Sequence, residues 1–154
     1  MLRTILRLST SLILFIFKRL PPEFSKKISL KLLRFSFRYF NPLSSIFLNK
    51  KKLTHKKFLL NGLKFSNNIG IAAGLDKEGK YFSALGSLGF GFIEVGTFTP
   101  HSQKGNTKPR IRRLNNQSII NRLGFNNPGI VEGIKNIKKN KHNFKGVLGV
   151  SIGK

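Results

Sequence analysis

At 154 residues the chain has the length of one ordinary domain, since domains most often run to about 100 to 150 residues. It has no cysteine, which excludes disulfides, thiolate metal sites and cysteine nucleophiles, and its 3 His and 5 Asp and Glu are too scattered to suggest a metal cluster. Its 29 Lys and Arg leave a formal net charge of +24, which points to a polyanion or an anionic membrane. The spread of that charge among many Phe, Ile and Asn residues fits a coding bias equally well.

The N-terminal stretch MLRTILRLSTSLILFIFKRL has basic flanks and an apolar run from Leu12 to Phe17. A spanning helix takes about 20 mainly apolar residues, and extending this run outward meets Arg7 and Lys18. The sequence PPEF follows in place of a small-residue cleavage site, which argues against a secretory signal. After Pro21 and Pro22, Ser25 can cap a helix running to about Phe40. Ile28, Leu32, Phe35 and Tyr39 then share one stripe, and Lys27, Lys31, Arg34 and Arg38 repeat the spacing one residue earlier. Such a stripe packs on a soluble core or lies in an anionic membrane interface; the short apolar run before it favours the membrane. Residues 41–57, with Pro42, Ser44, Ser45 and a lysine run, read as a linker.

Beyond it, KFLLNGLKF over 57–65 reads as a hairpin, because Asn61 and Gly62 tolerate the positive φ of a type I′ turn. IGIAA over 69–73 predicts a strand, followed by a helix over about 78–88. Phe90 to Val95 predicts a second strand, a helix is expected over about 129–139, and GVLGVSIG over 146–153 predicts a third strand. Apolar strands alternating with helices indicate right-handed βαβ units in a parallel sheet. In such folds the ligand sits beyond the carboxyl ends of the strands. Those ends carry Ala73 and Gly74, Gly96 and Thr97, and Ser151 to Gly153. Small residues there let a flat ligand approach the backbone, or simply make tight turns.

The motifs NIGIAAGLDKEGK, GFGFIEVGTFTP, GNTKPRIRRL, INRLGFNNPG and GVLGVSIGK, in this order, resemble the quinone-dependent (class 2) dihydroorotate dehydrogenases from about residue 57 onward. The resemblance implies an α/β fold, the first part of a (β/α)8 TIM barrel, with FMN at the carboxyl-end mouth. It implies that Ala73, Gly74, Leu75, Asp76 and Lys77 contact FMN, with Thr97 and Ser151 at two further flavin positions. Lys77 also reaches the substrate, and Asn121, Arg122, Leu123, Gly124 and Phe125 bind the ring and carboxylate of dihydroorotate or orotate. The residue types suit that chemistry. A substrate carboxylate needs a fixed cation, and the pyrimidine amide edge needs a paired donor and acceptor such as the Asn121 amide. The resemblance further implies three segments: residues 1–44 as a helical extension associated with a membrane quinone, 45–56 as a linker, and 57–154 as barrel. Peripheral association with the cytoplasmic face of the inner membrane goes with it, and no nucleic-acid partner is expected.

Two departures qualify the resemblance. The family's catalytic serine base, and the later loops that hold the FMN phosphate, have no counterpart among these motifs, so no catalytic residue is assigned and the 154-residue chain alone is expected to be inactive, ending after about the third barrel strand. Ser151 also stands where the family usually has an asparagine against the flavin. The alternatives are an inactive remnant of that enzyme, and a basic RNA-binding protein, for which no nucleic-acid motif is present.

Overall fold

The computed structural model describes residues 11, 13–47, 57–115 and 118–154, and of residues 40–47 the backbone alone. Residues 1–10 of the expected extension and 48–56 of the expected linker lie outside the described residues.

Two helices come first. Residues 13–19 form α1, and Pro22–Phe47 forms α2. The expected start at Ser25 is corrected: Pro22 occupies the first turn, where its missing N–H costs nothing and its fixed φ suits the helix. Ser25 lies inside, buried, with its hydroxyl donating to the Phe17 carbonyl of α1 at 2.8 Å, which ties the two helices together. The helix also continues through Pro42 to Phe47, so the expected linker is corrected: residues 41–47 belong to α2. Its packed side is Leu30, buried in the core, with Leu33 against the same cluster. Leu32, Phe35 and Tyr39 of the sequence-derived stripe point to solvent, as do Lys27, Lys31, Arg34 and Arg38.

The hairpin is β1 (Phe58–Leu60) paired antiparallel with β2 (Leu63–Phe65). Asn61 at φ 48 and Gly62 at φ 77 supply the two positive angles of the turn. Phe65 meets Phe92 edge-on at 5.8 Å, which sets the hairpin against the start of the central strand.

The parallel sheet has the order β3 (Gly70–Ile71), β4 (Phe92–Phe98), β7 (Val147–Ile152). Gly70 pairs with Phe92, and Phe92 with Val147. The first helix between strands, α3 (Phe82–Gly86), is shorter than the expected 78–88. The reason is local: both Asp76 carboxylate oxygens accept backbone N–H groups, from Lys80 at 3.1 Å and Tyr81 at 2.7 Å, and Gly79 has φ +67. These keep 76–81 as a wrapped loop. The second, α4 (Ile130–Asn140), matches its expectation closely. Between β4 and α4 runs an antiparallel hairpin, β5 (Ile111–Arg113) with β6 (Ile119–Asn121), that the sequence reading did not contain.

The core is one face of β4 (Ile93, Val95, Phe98) packed on Phe82 and Leu85 of α3 and Leu30 of α2. Burying each such side chain contributes roughly 1.5–3 kcal/mol, so the core fixes β4 firmly and the loops beyond it inherit a rigid base.

Candidate functional site

Beyond the carboxyl ends of β3 and β4 lies an open cleft of about 230 Å³, walled by Ala73, Gly74, Lys77 and Thr97 on one side and by Asn121, Leu123, Gly124 and Phe125 on the other. Eight of the residues singled out from the sequence thus converge from segments roughly fifty positions apart.

Gly96 holds the first wall in place. Its carbonyl accepts the Gly74 N–H at 2.9 Å and its own N–H donates to the Asp76 carbonyl at 3.0 Å, tying the loop after β3 to β4. At Gly96 itself (φ +102) a Cβ would lie 2.6 Å from the Ser151 carbonyl oxygen, so no other residue fits. Gly74 is the opposite case: a Cβ there would meet nothing within 4 Å, so the chain passes the cleft with an open backbone face.

The remaining sequence-derived residues lie outside the lining. Asp76 is buried and its carboxylate is used by the loop amides; burial holds its pKa above the ordinary carboxylate range. Leu75 is exposed beside it. Arg122 turns away, its Nη2 donating to the Pro109 carbonyl at 3.4 Å. Ser151 stands behind Thr97, the two hydroxyls sharing a hydrogen bond of 2.8 Å that fixes the Thr97 oxygen.

The electrostatics favour an anion. Burial, and then the Arg110 guanidinium, lower the Lys77 pKa. Lys26 of α2 is lowered by burial first and by Lys77 second, while its Nζ donates to the Gly74 carbonyl at 2.8 Å. Lys77, which lines the cleft, is partly desolvated and lies near other cations, so it gains from a carboxylate or phosphate brought to it. Nothing local in the sequence marks Lys26, whose partner lies 48 residues away, and Arg110 lies within the motif GNTKPRIRRL with no local sign of its role.

Small-molecule pockets usually measure about 300–1,000 Å³, so this cleft of about 230 Å³ supplies one wall of a site. Its donor set fits a flavin ring laid on the Gly74 backbone beside the Thr97 hydroxyl, and a small carboxylate ring held between Lys77 and Asn121.

Parallel strands with helices between them, and a cleft beyond the strand ends, define a parallel α/β protein. The Dihydroorotate dehydrogenase family model matches residues 56–154. The chain belongs to the dihydroorotate dehydrogenase family. It is 46% identical over 137 residues to Dihydroorotate dehydrogenase (quinone) of Cellvibrio japonicus (strain Ueda107), an alignment taking in 88% of this chain and 38% of that one. The protein of the same name from Neisseria meningitidis serogroup B is 57% identical over 100 residues, covering 64% of this chain and 29% of its own length. Among solved structures, ligand-free DHODH from Eimeria tenella superposes with a TM-score of 0.66 at 34% identity, over 86% of this chain and 37% of that one. The chain therefore spans between 29% and 38% of the length of these relatives. These likenesses assign the quinone-dependent class that the motifs resemble, and the TIM-barrel type of fold.

Proposed function

We propose that this chain supplies one wall of the active site of a quinone-dependent dihydroorotate dehydrogenase, oxidising dihydroorotate to orotate in pyrimidine biosynthesis. The observation that carries this is the meeting of Lys77, Asn121, Thr97 and the bare Gly74 backbone in one cleft. FMN, when bound, provides the two-electron carrier between the substrate ring and a membrane quinone. Ala73, Gly74 and Thr97 would hold the flavin, with Ser151 fixing the Thr97 hydroxyl rather than touching the ring. Lys77 would bind the substrate carboxylate as a charge-assisted partner, and Asn121 would orient the ring by offering both a donor and an acceptor. Orientation of this kind accounts for a large part of such barriers; the base that takes the ring proton is assigned to none of these residues. Residues 1–44 would form the extension that lies peripherally on the cytoplasmic face of the inner membrane, where the quinone resides, and 57–154 would belong to the barrel.

The test is spectroscopic. The full-length protein, with the rest of the barrel present, is expected to retain a yellow flavin whose absorbance bleaches on adding dihydroorotate without oxygen and returns on adding a short-chain quinone. Protein that folds yet retains no flavin would reject the assignment.

A further inference from the structure

The segment Asn121 to Phe125 is held from behind by a chain of polar contacts that begins in α2. Glu23, in the first turn of α2, accepts from the Arg110 guanidinium: Nε is 3.2 Å from both carboxylate oxygens and Nη2 is 2.5 Å from Oε1. The Glu23 pKa is lowered chiefly by that hydrogen bond. Arg110 is 8% exposed, so its charge has lost most of its water and depends on this partner. The other arm of the guanidinium reaches the loop before it, Nη1 donating to the carbonyls of Lys104 at 2.7 Å and Asn106 at 3.2 Å.

Asn106 carries the contact forward. Its backbone N–H donates to the Leu123 carbonyl at 3.1 Å, and its Nδ2 donates to the Arg122 carbonyl at 2.7 Å. The fit is tight from both sides: a Cβ on Gly124 would lie 2.8 Å from the Asn106 nitrogen, and one on Gly105 would lie 2.3 Å from the Leu123 oxygen. A second link runs in parallel, since the Arg122 N–H donates to the Arg110 carbonyl at 2.9 Å. None of Glu23, Arg110 or Asn106 lines the cleft.

We propose that Glu23, Arg110 and Asn106 are positioning residues that set the 121–125 segment from α2, so that the seating of the helix pair governs affinity on the substrate side of the site. This rests on the proposed function, because it takes that segment as the wall that meets the pyrimidine. Loss of the Glu23 charge leaves Arg110 without its counterion, frees the 104–106 loop, and lets Leu123 and Gly124 drift. The Gly74 and Thr97 wall is tied through Gly96 and keeps its own bond from Lys26 of α2, neither of which uses the Glu23 carboxylate, so flavin retention should stay constant while orotate binding weakens.

The experiment uses the FMN-loaded full-length protein, the rest of the barrel included, with orotate titrated and read from the change in flavin absorbance, and flavin content read after gel filtration. Glu23→Gln is expected to weaken orotate about tenfold at unchanged flavin content, and Glu23→Asp, which keeps the charge, to recover most of it. Asn106→Ala, at an exposed side chain, removes the donor to Arg122 without adding a charge and carries the same expectation should the Glu23 variant fail to fold. Wild-type affinity in these variants would overturn the positioning role and leave the proposed function standing. A parallel loss of flavin and orotate would also overturn it, by marking the contacts as general support of the fold. Failure of the flavin-loaded wild type to bind orotate would reject the proposed function, and this inference with it.

Discussion

In the proposed function Lys77 holds the substrate carboxylate, and its protonation gives that contact a pH limit. Burial and Arg110 lower its pKa in the free protein, whereas a bound carboxylate favours the charged form and raises it again. Affinity for orotate is therefore flat on the acid side of the free value. It falls as pH rises between the free and bound values, by up to about tenfold per unit. Because the free value sits below the ordinary lysine range, the decline begins at lower pH than an unperturbed lysine would give, which is near 10.4. Lys77→Ala should cost about 1.5–3 kcal/mol of binding, the worth of a hydrogen bond to a charged group, and abolish the alkaline limb. Lys77→Arg keeps a charge that does not titrate in this range, so it should retain binding without the limb. Orotate dissociation constants measured from neutral to alkaline pH check this; a limb that persists in Lys77→Arg would assign the titration to another group.

Among the elements, those set by local rules were legible in the sequence and those set by distant partners were not. The Asn61 and Gly62 turn, the three parallel strands and α4 follow from turn chemistry and apolar runs, which act within a few residues. The length of α3 escaped because the Asp76 side chain takes the amides of Lys80 and Tyr81, a competition between side chain and helix that periodicity does not register. The β5 and β6 hairpin had a visible cue in the Asn-rich turn between two short apolar and basic runs, and was missed because each strand has 3 residues. All eight lining residues came from the motifs, while Lys26 and Glu23 act through partners 48 and 87 residues away and Asn106 through one 16 away. The packing of α4 on β4 gives a test at this scale. A Cβ on Gly133 would lie 2.6 Å from the Phe98 ring, and Phe98 is 1% exposed and cannot turn aside. Gly133→Ala gains about 1 kcal/mol of helix propensity but overpacks the core at about 1–3 kcal/mol, so a net loss of roughly 1 kcal/mol is expected. Denaturant midpoints should fall for Gly133→Ala and not for Lys138→Ala at an exposed position; a rise would show that α4 can move away from the sheet.

For the molecule as a whole, the net charge of +24 would attract either a nucleic acid or an anionic bilayer, and the helix pair separates the two. Ile13, Leu14, Phe15 and Ile16 of α1 and Phe24, Leu32, Phe35 and Tyr39 of α2 are each about half exposed, beside the exposed Lys18, Arg19, Lys27 and Lys31. Among the described residues no helix is long and apolar enough to cross a membrane; the exposed apolar and basic side chains are what the proposed peripheral association would use, and Arg113 of β5 ties the pair to the rest of the chain. That guanidinium caps the end of α1, with Nη1 donating to the carbonyls of Lys18 at 2.8 Å and Leu20 at 2.7 Å. Each basic side chain near an anionic surface contributes about 1 kcal/mol, screened as the Debye length shrinks from about 10 Å at 0.1 M salt to about 3 Å at 1 M. Each inserted apolar side chain contributes about 1.5–3 kcal/mol that salt does not screen. Binding to phosphatidylglycerol vesicles should thus weaken with salt to a plateau, and Leu14→Ser with Leu32→Ser should remove the plateau. A nucleic-acid surface predicts the opposite: binding that salt abolishes and that these two serines leave unchanged. Flotation with such vesicles across a salt series, beside a single-stranded RNA control, decides between them, and equal binding by the double variant at high salt would remove the helix pair from any role at the membrane.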